Sequence, residues 1–205
     1  MSHYFENDKN IKSEEKIINV KIKEKPFSFY VDNGIFSKKG LDFGTRTLLE
    51  NLDLENIHGK ILDFGCGYGP IGIYISKEKN LPVDMIDINK RSLKLAQKNS
   101  ALNQVQTNVF ESNIYENINQ TYDFIITNPP IRVGKEILYK ILIEAKEHLK
   151  PNGELWFVIH KDQGAKTTFK MLENYYNLTL VTKNKGFYII QARNNWQNIF
   201  SLLKL

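Results

Sequence analysis

The chain has 205 residues, 41% of them hydrophobic, which is enough to bury one substantial core and favours one domain or at most two. Lys and Arg outnumber Asp and Glu by 28 to 23, and the net charge of +5 permits a polyanionic partner without requiring one. The single cysteine, Cys66, excludes an intramolecular disulfide and a cysteine metal cluster, and no run of about 18 apolar residues could span a membrane, so we expect a cytoplasmic monomer that binds no metal.

The first 58 residues predict a flexible leader followed by a small β-rich unit. Residues 1–16 are polar and charged without a sustained period. From Ile17 onward apolar and polar residues alternate as in a half-buried strand, which Pro26 is expected to end. The alternation then resumes, and Asn33-Gly34 predicts a tight hairpin turn. A small antiparallel sheet and a helix at residues 41–52 are therefore expected within an N-terminal unit over residues 17–58.

From residue 59 the chain alternates between predicted strands and helices. Strands are predicted at residues 60–64, 83–87, 105–110, 122–127, 154–159, 178–182 and 186–192, and helices at 70–77, 90–103, 135–149 and 164–175. Asn89 is placed to cap the second of these helices, and Pro151-Asn152-Gly153 is expected to end the third. The alternation predicts, over residues 59–193, a seven-stranded, mostly parallel sheet with helices on both faces and a terminal antiparallel hairpin. Residues 194–205 form an apolar tail, expected to pack back on the domain.

A glycine-rich loop follows the first strand of this sheet. Asp63 lies near the end of the strand, and Gly65, Gly67 and Gly69 allow the backbone to approach a ligand closely. An acid here can accept from an ammonium group, which suits S-adenosylmethionine (SAM), a cofactor that carries an amino acid end instead of the phosphates of a dinucleotide. Asp87 ends the next strand about twenty residues later, where a carboxylate can bind both ribose hydroxyls.

Three more residues are predicted to line the cofactor. Ile88 follows Asp87, and Asn113 lies just past the third strand, where a polar side chain can meet the adenine amine. Cys66 lies inside the glycine loop and is interpreted as a packing residue, since the sequence places no base beside it that would make it a nucleophile. The competing interpretation is that the glycines only form tight turns and that Asp87 caps the following helix.

Asn128-Pro129-Pro130 follows an apolar run at residues 124–126 and predicts an amine-binding loop. The Asn128 amide oxygen and the Pro129 carbonyl are two acceptors that the prolines hold rigidly, so both can bind one planar amine. The amine lone pair would then point toward the methyl group of SAM, and catalysis would rest on orientation. We therefore predict Asn128, Pro129 and Pro130 as catalytic, with Asn128 also contacting the cofactor. Alternatively, the two prolines only end the strand.

Ile131, Arg132 and Lys135 follow this loop and are the predicted substrate-binding residues. Arg132 and Lys135 can bind phosphates, although ordinary solvated charge is the alternative for each. Tyr68 and Phe187 are candidates for stacking on an extruded base.

These motifs resemble those of class I methyltransferases of the small-domain (MTS) family. The resemblance rests on residues 36–46, 63–72, 128–135 and 153–156, and within the family the chain most resembles single-domain relatives of the small-subunit ribosomal RNA guanine-N2 methyltransferases, the RsmC-like group. It implies a Rossmann-like fold and a SAM-dependent enzyme that methylates the exocyclic N2 of a guanine, with ribosomal RNA or the small ribosomal subunit as partner. It also implies that Phe43, Gly44 and Thr45 approach the methionine end of SAM. The family often has an aromatic residue where this chain has Ile131.

Two alternatives are kept. The same pair of acceptors suits a protein glutamine amide or a small planar amine. From a different class, an NAD-binding oxidoreductase or a non-catalytic RNA-binding protein would also carry a glycine loop of this kind.

Overall fold

The computed structural model describes residues 14–32, 40–130 and 133–194. Most of the predicted leader, the Asn33-Gly34 turn, Ile131, Arg132 and the tail beyond Asn194 lie outside the described residues. In chain order the strands and α-helices are β1 (Lys16–Ile22), β2 (Lys25–Val31), α1 (Phe43–Asn51), β3 (Ile61–Phe64), α2 (Pro70–Lys79), β4 (Val83–Asp87), α3 (Lys90–Asn103), β5 (Thr107–Glu111), β6 (Tyr122–Thr127), α4 (Gly134–Glu144), β7 (Leu149–His160), α5 (Ala165–Leu172), β8 (Asn177–Asn184) and β9 (Phe187–Arg193). No helix in these ranges is long and apolar enough to cross a membrane.

Seven strands form one sheet in the order β5-β4-β3-β6-β7-β9-β8. The neighbours from β5 to β7 pair in parallel, whereas β9 pairs antiparallel with both β7 and β8. The chain runs outward from β3 to β5 and then returns to β6 on the other side of β3, and such a reversal opens a crevice at the carboxyl ends of the strands. The predicted fold class, including the terminal antiparallel hairpin, is confirmed.

Helices cover both faces of this sheet. On one face α1, α2 and α3 pack in a cluster that contains Leu48, and on the other α4 and α5 pack in a cluster that contains Leu142. Successive residues of β6 alternate between the two clusters, since Ile125 belongs to the second and Ile126 to the first. Strands covered on both faces are apolar throughout, which explains the continuous apolar runs in the sequence.

β1 and β2 form a separate antiparallel hairpin that shares the first apolar cluster with the main sheet. Its turn is Lys23-Glu24, where both residues have positive φ, 45° and 63°. Pro26 lies inside β2 opposite Lys21, so the prediction that it ends a strand was wrong. A proline fits there if its nitrogen faces away from the partner strand, as every second residue of an antiparallel pair does. The boundary predicted near residue 58 between this unit and the main domain stays a prediction.

β7 begins earlier than predicted, at Leu149 instead of residue 154. Leu149 pairs with Tyr122 and Glu154 with Phe124, so β7 has three more residues than β6 between these two pairs. The sequence Pro151-Asn152-Gly153 therefore forms a bulge within the strand, where a break before the strand was expected.

Candidate active site

Asp63 is a fully buried carboxylate near the end of β3. Its Oδ2 accepts a hydrogen bond from the backbone N–H of Gly72 at 2.8 Å, and its Oδ1 has no partner among the described residues. Burial raises the pKa of Asp63 to about 7, the Gly72 hydrogen bond opposes this shift and the charge of Asp87 adds to it. A buried acceptor without a partner is rare in folded proteins, and this one suits a cationic group of a ligand.

The loop from Gly65 to Gly69 turns the chain from β3 into α2. Gly65, Gly67 and Gly69 all have positive φ, of 67°, 57° and 93°. A Cβ on Gly65 or Gly67 would meet nothing within 4 Å, so glycine is needed there for its backbone conformation, and the space above the loop is open. Gly72 has a different role, because a Cβ there would lie 2.3 Å from Sδ of Met85. Any larger residue at this position would require the Met85 side chain to move.

Cys66 is buried in this loop and packs there. Its backbone N–H donates to the carbonyl of Ile86 at 2.8 Å. Burial, with the charges of Asp63 and Asp87 adding to it, raises the pKa of the Cys66 thiol well above its ordinary value. The thiol is therefore protonated at neutral pH, which agrees with a packing role and argues against a nucleophile.

Asp87 ends β4, and backbone groups bind both of its carboxylate oxygens. Its Oδ2 accepts from Gly67 N–H at 2.9 Å, and its Oδ1 accepts from Asn89 N–H at 2.8 Å. Burial raises the pKa of Asp87, and these backbone hydrogen bonds oppose the shift. Asn89 itself caps α3 as predicted, since its Oδ1 accepts from Arg91 N–H at 2.9 Å. Each carboxylate oxygen can accept a further hydrogen bond, so Asp87 can anchor the glycine loop and still bind a diol.

An apolar cavity lies beside Asp87 at the carboxyl ends of β3, β4 and β5. Its lining consists of Phe64, Gly65, Ile86, Asp87, Ile88, Ser112, Ile114, Pro130, Ile137 and Ile141. Four predicted site residues, Gly65, Asp87, Ile88 and Pro130, are therefore brought together here. Ile114 has a positive φ of 53°, a strained conformation for a β-branched residue that is typical of binding sites. An apolar cavity with an acid at its side suits a nucleoside.

Asn113, predicted to meet the adenine amine, forms a side-chain hydrogen bond through its nitrogen only, which leaves its acceptor oxygen for that contact, so the assignment stays a prediction. Its Nδ2 donates to Oε1 of Glu116 at 2.7 Å, while its neighbours Ser112 and Ile114 line the cavity. The α4 residues Ile137 and Ile141 also line it, although their sequence pattern indicated only the apolar stripe of a helix. The sequence has no signal that distinguishes the cavity-lining residues of two helical turns from the other residues of the apolar stripe.

Asn128 begins the predicted acceptor loop, directly after β6. Its Nδ2 donates to Oδ1 of Asp42 at 3.1 Å and to Oγ1 of Thr45 at 2.9 Å. Its amide oxygen has no hydrogen-bond partner in the part of the chain that the structure describes. Pro129 is buried, and Pro130 reaches the cavity described above. The predicted acceptor oxygen is therefore available in the loop whose Pro130 lines the cavity.

The start of α1 is joined to this loop. Asp42 caps α1, because its Oδ1 also accepts from Thr45 N–H at 3.0 Å. The first turn contains Phe43, Gly44 and Thr45, and a Cβ on Gly44 would lie 2.9 Å from Cε1 of Phe187. The sequence pattern predicted no role for Asp42. An acid directly before a helix is a recognisable cap, but its contact with a residue 86 positions away left no signal.

Phe43, His160, Lys185 and Phe187 form an aromatic and cationic rim beside α1. The ring centroids of Phe43 and Phe187 are 5.6 Å apart, and those of His160 and Phe187 are 4.7 Å apart. Nζ of Lys185 lies 5.0 Å from the centroid of the Phe43 ring. The rim thus combines π surface with positive charge at the same edge of the sheet as Asn128.

Three lysines at this edge, Lys161, Lys183 and Lys185, are exposed and form no ion pair with any described residue. The backbone N–H of Lys161 donates to the carbonyl of Gly186 at 2.7 Å, which ties the β8–β9 turn to the end of β7. Arg91 on α3, in contrast, pairs with Asp32 at 2.6 Å. These three lysines therefore add exposed positive charge beside the rim.

The remaining predicted substrate residues have different positions. Tyr68 is 3% exposed and packs edge-on against the N-terminal hairpin, so the suggestion that it stacks on a substrate base was wrong. Phe187, the other candidate, is half-buried at the rim. Lys135 is exposed in the first turn of α4, whereas Ile131 and Arg132 lie outside the described residues.

The sequence matches the family described as methyltransferase small domain over residues 26–191. The protein YbxB of Bacillus subtilis (strain 168) is 39% identical over 196 residues, which cover 93% of this chain and 98% of that protein. The ribosomal RNA small subunit methyltransferase C of Pasteurella multocida (strain Pm70) is 39% identical over 130 residues, which cover 61% of this chain. The match spans only 39% of the length of that second relative.

Solved structures show the same fold. The T. thermophilus 16S rRNA N2 G1207 methyltransferase (RsmC), in complex with AdoMet and guanosine, has a TM-score of 0.79 at 21% identity, covering 88% of this chain and 51% of that one. A ribosomal protein L11 methylase from Lactobacillus delbrueckii subsp. bulgaricus has a TM-score of 0.64 at 21% identity, covering 74% and 79%.

Proposed function

Because this chain belongs to the methyltransferase small-domain family, we propose that it is a SAM-dependent enzyme that methylates the exocyclic N2 of a guanine in small-subunit ribosomal RNA. The observation that carries this proposal is the orientation of Asn128. Its Nδ2 is held by Asp42 and Thr45, so that Oδ1 is left to accept from a substrate amine.

The residues present fit SAM. The unpartnered Oδ1 of Asp63 would accept from the ammonium group, Asp87 would bind the ribose hydroxyls, and the apolar cavity that includes Ile88 would hold the adenine. Bound SAM supplies a methyl group on a sulfonium, a donor that needs no acid or base to activate it. The family resemblance adds the first turn of α1 to the methionine end of this site.

Asn128 and Pro129 would bind and orient the amine. Oδ1 of Asn128 and the carbonyl oxygen of Pro129 each accept one N–H, which turns the nitrogen lone pair out of conjugation with the base. The nitrogen becomes positively charged as its new bond forms, and the same two oxygens stabilise that charge until a proton leaves for solvent. The two prolines keep the acceptors in place before the substrate arrives.

Two observations favour RNA as the acceptor. The name of the P. multocida relative refers to small-subunit ribosomal RNA, and that of the T. thermophilus structure refers to N2 of G1207 in 16S rRNA. In this chain the aromatic and cationic rim and the unpaired lysines lie at the same edge of the sheet as Asn128. Aromatic faces for an unstacked base and cations for phosphates are what an RNA-modifying enzyme needs.

Nucleoside analysis tests this function. The protein would be incubated with methyl-labelled SAM and unmodified small-subunit rRNA, either naked or assembled, and the RNA would then be digested. We expect label in N2-methylguanosine. Label in a different nucleoside would contradict the guanine assignment, and label that resists ribonuclease would favour a protein amide. Binding of NAD in preference to SAM would overturn the proposed chemistry.

A further inference from the structure

The side chains of Asp42, Thr45 and Asn128 form a closed set of hydrogen bonds. The two acceptors on Nδ2 of Asn128 are Oδ1 of Asp42 at 3.1 Å and Oγ1 of Thr45 at 2.9 Å. A primary amide nitrogen carries only two hydrogens, so both are used. Thr45 is itself buried, at 3% exposure, and its backbone N–H binds the same Asp42 oxygen.

The charge of Asp42 selects one orientation of the amide. If the amide turned by 180°, its oxygen would face the Asp42 carboxylate, and a charge-assisted hydrogen bond would be replaced by repulsion between two acceptors. The hydroxyl of Thr45 can accept from the amide nitrogen or donate to the amide oxygen, so it permits either orientation, but an ionised Asp42 can only accept. The atom that Asn128 directs away from this pair is therefore its oxygen.

We propose that Asp42 and Thr45 are positioning residues, which set Asn128 as a hydrogen-bond acceptor and so restrict the substrate to planar amines with N–H groups to donate. The inference rests on the function proposed above. A substrate that directed a carbonyl oxygen or a ring-nitrogen lone pair to the same place would be repelled by Oδ1. Asp42 thus controls substrate chemistry through Asn128.

Asp42 and the acceptor loop are each held in place by packing or hydrogen bonds. Asp42 is the N-cap of α1, and α1 is packed on the sheet through the fully buried Leu48 and Leu49. The acceptor loop is fixed independently by β6, where the hydroxyl of Thr127 donates to the carbonyl of Phe64 at 2.8 Å. Two anchored elements therefore hold the amide between them, as a preorganised site requires.

Exchanging the carboxylate of Asp42 and the amide of Asn128 between the two positions tests the proposal. Asn128→Asp keeps an acceptor toward the substrate but places a second carboxylate against Asp42, so we expect kcat to fall by about 100-fold. Adding Asp42→Asn supplies a donor to that carboxylate, and its oxygen can still cap α1. The double variant should regain at least about tenfold over Asn128→Asp. A double variant that is folded, binds SAM as the wild type does and regains nothing would overturn the proposal.

A second readout does not depend on catalysis. In NMR spectra of 15N-labelled protein, the Nδ2 hydrogens of Asn128 should exchange with solvent at least about tenfold more slowly than those of the exposed Asn80. Thr45→Val removes one acceptor and should accelerate this exchange, whereas Thr45→Ser keeps the hydroxyl and should protect the amide better than Thr45→Val does. Unprotected Nδ2 hydrogens in the wild type would overturn the proposal.

The two readouts separate this inference from the proposed function. If the wild type does not methylate guanine N2 but the Asn128 hydrogens are protected in a Thr45-dependent way, the proposed substrate is wrong and the positioning stands. If the wild type methylates guanine N2 while rescue and protection are both absent, only the positioning is wrong.

Discussion

Gly72 donates its backbone N–H to Oδ2 of Asp63 at 2.8 Å, so the first turn of α2 binds one oxygen of a carboxylate that is fully buried in β3. The other oxygen, Oδ1, has no partner within the described ranges. One oxygen therefore serves the fold, and we propose that the other binds the ammonium group of the cofactor. This division links the stability of the protein to cofactor binding, and both should depend on pH.

SAM affinity should weaken as the pH falls below about 7. Burial raises the pKa of Asp63 to about 7, so its carboxylate is ionised above this pH and protonated below it. Only the ionised form attracts an ammonium group, and Kd should rise by up to about tenfold per pH unit below 7. Calorimetry between pH 5.5 and 7.5 measures this, with Asp63→Asn as the pH-insensitive control. A wild-type Kd that stays constant over this range is the contrary result.

Asp63→Asn should change stability in a pH-dependent way. The carboxyl loses its proton near pH 3.8 in the unfolded chain and near pH 7 in the folded one, so unfolding releases a proton within this window. The contribution of the Asp63 carboxyl to the free energy of unfolding of the wild type therefore falls as the pH rises from about 4 to about 7. It stays low above pH 7. Asp63→Asn has no carboxyl group to ionise, so its stability does not fall in this way. The free energy of unfolding of the variant minus that of the wild type should therefore increase by on the order of 1–3 kcal/mol between pH 5 and pH 8. Urea titrations at both pH values measure the difference, and an unchanged difference would contradict the buried charge.

Charge reversal near the rim should weaken RNA binding without affecting SAM. Lys183→Glu and Lys185→Glu each replace an exposed cation, and each should raise the KM for RNA. If a phosphate contact is lost, the slope of the logarithm of the RNA-binding constant against the logarithm of salt concentration should decrease in magnitude by about one unit. Lys94→Glu is the matched control, because Lys94 is also exposed but lies on α3, over β4 and β5 at the other end of the sheet. Equal losses in all three variants would show only a nonspecific effect of charge.

The sheet and much of the site could be predicted because their signals are local. Apolar periodicity identifies strands and helices from a few consecutive residues, as the stripe containing Leu138 and Leu142 does for α4. Asp63 and Asp87 lie at or beside the ends of adjacent parallel strands, so the topology alone brings them to one edge. Asn128 follows the strand on the other side of β3, and its loop reaches the same crevice.

The features that could not be predicted depend on contacts between distant segments. The sequence does not reveal that Asp42 binds Asn128, because no periodicity connects a helix cap to a loop 86 residues later. Pro26 was expected to end a strand, and the hairpin accommodates it inside β2.

The most direct test of the central claim compares wild-type protein with Asn128→Ala on unmodified small-subunit rRNA, measuring the rate of N2-methylguanosine formation and the Kd for SAM. Removing the amide deletes one of the two proposed acceptors and leaves Asp63 and Asp87 in place. We predict a kcat that is lower by about 100-fold or more, with a change in Kd of less than about threefold. A variant that forms N2-methylguanosine at the wild-type rate would contradict the account.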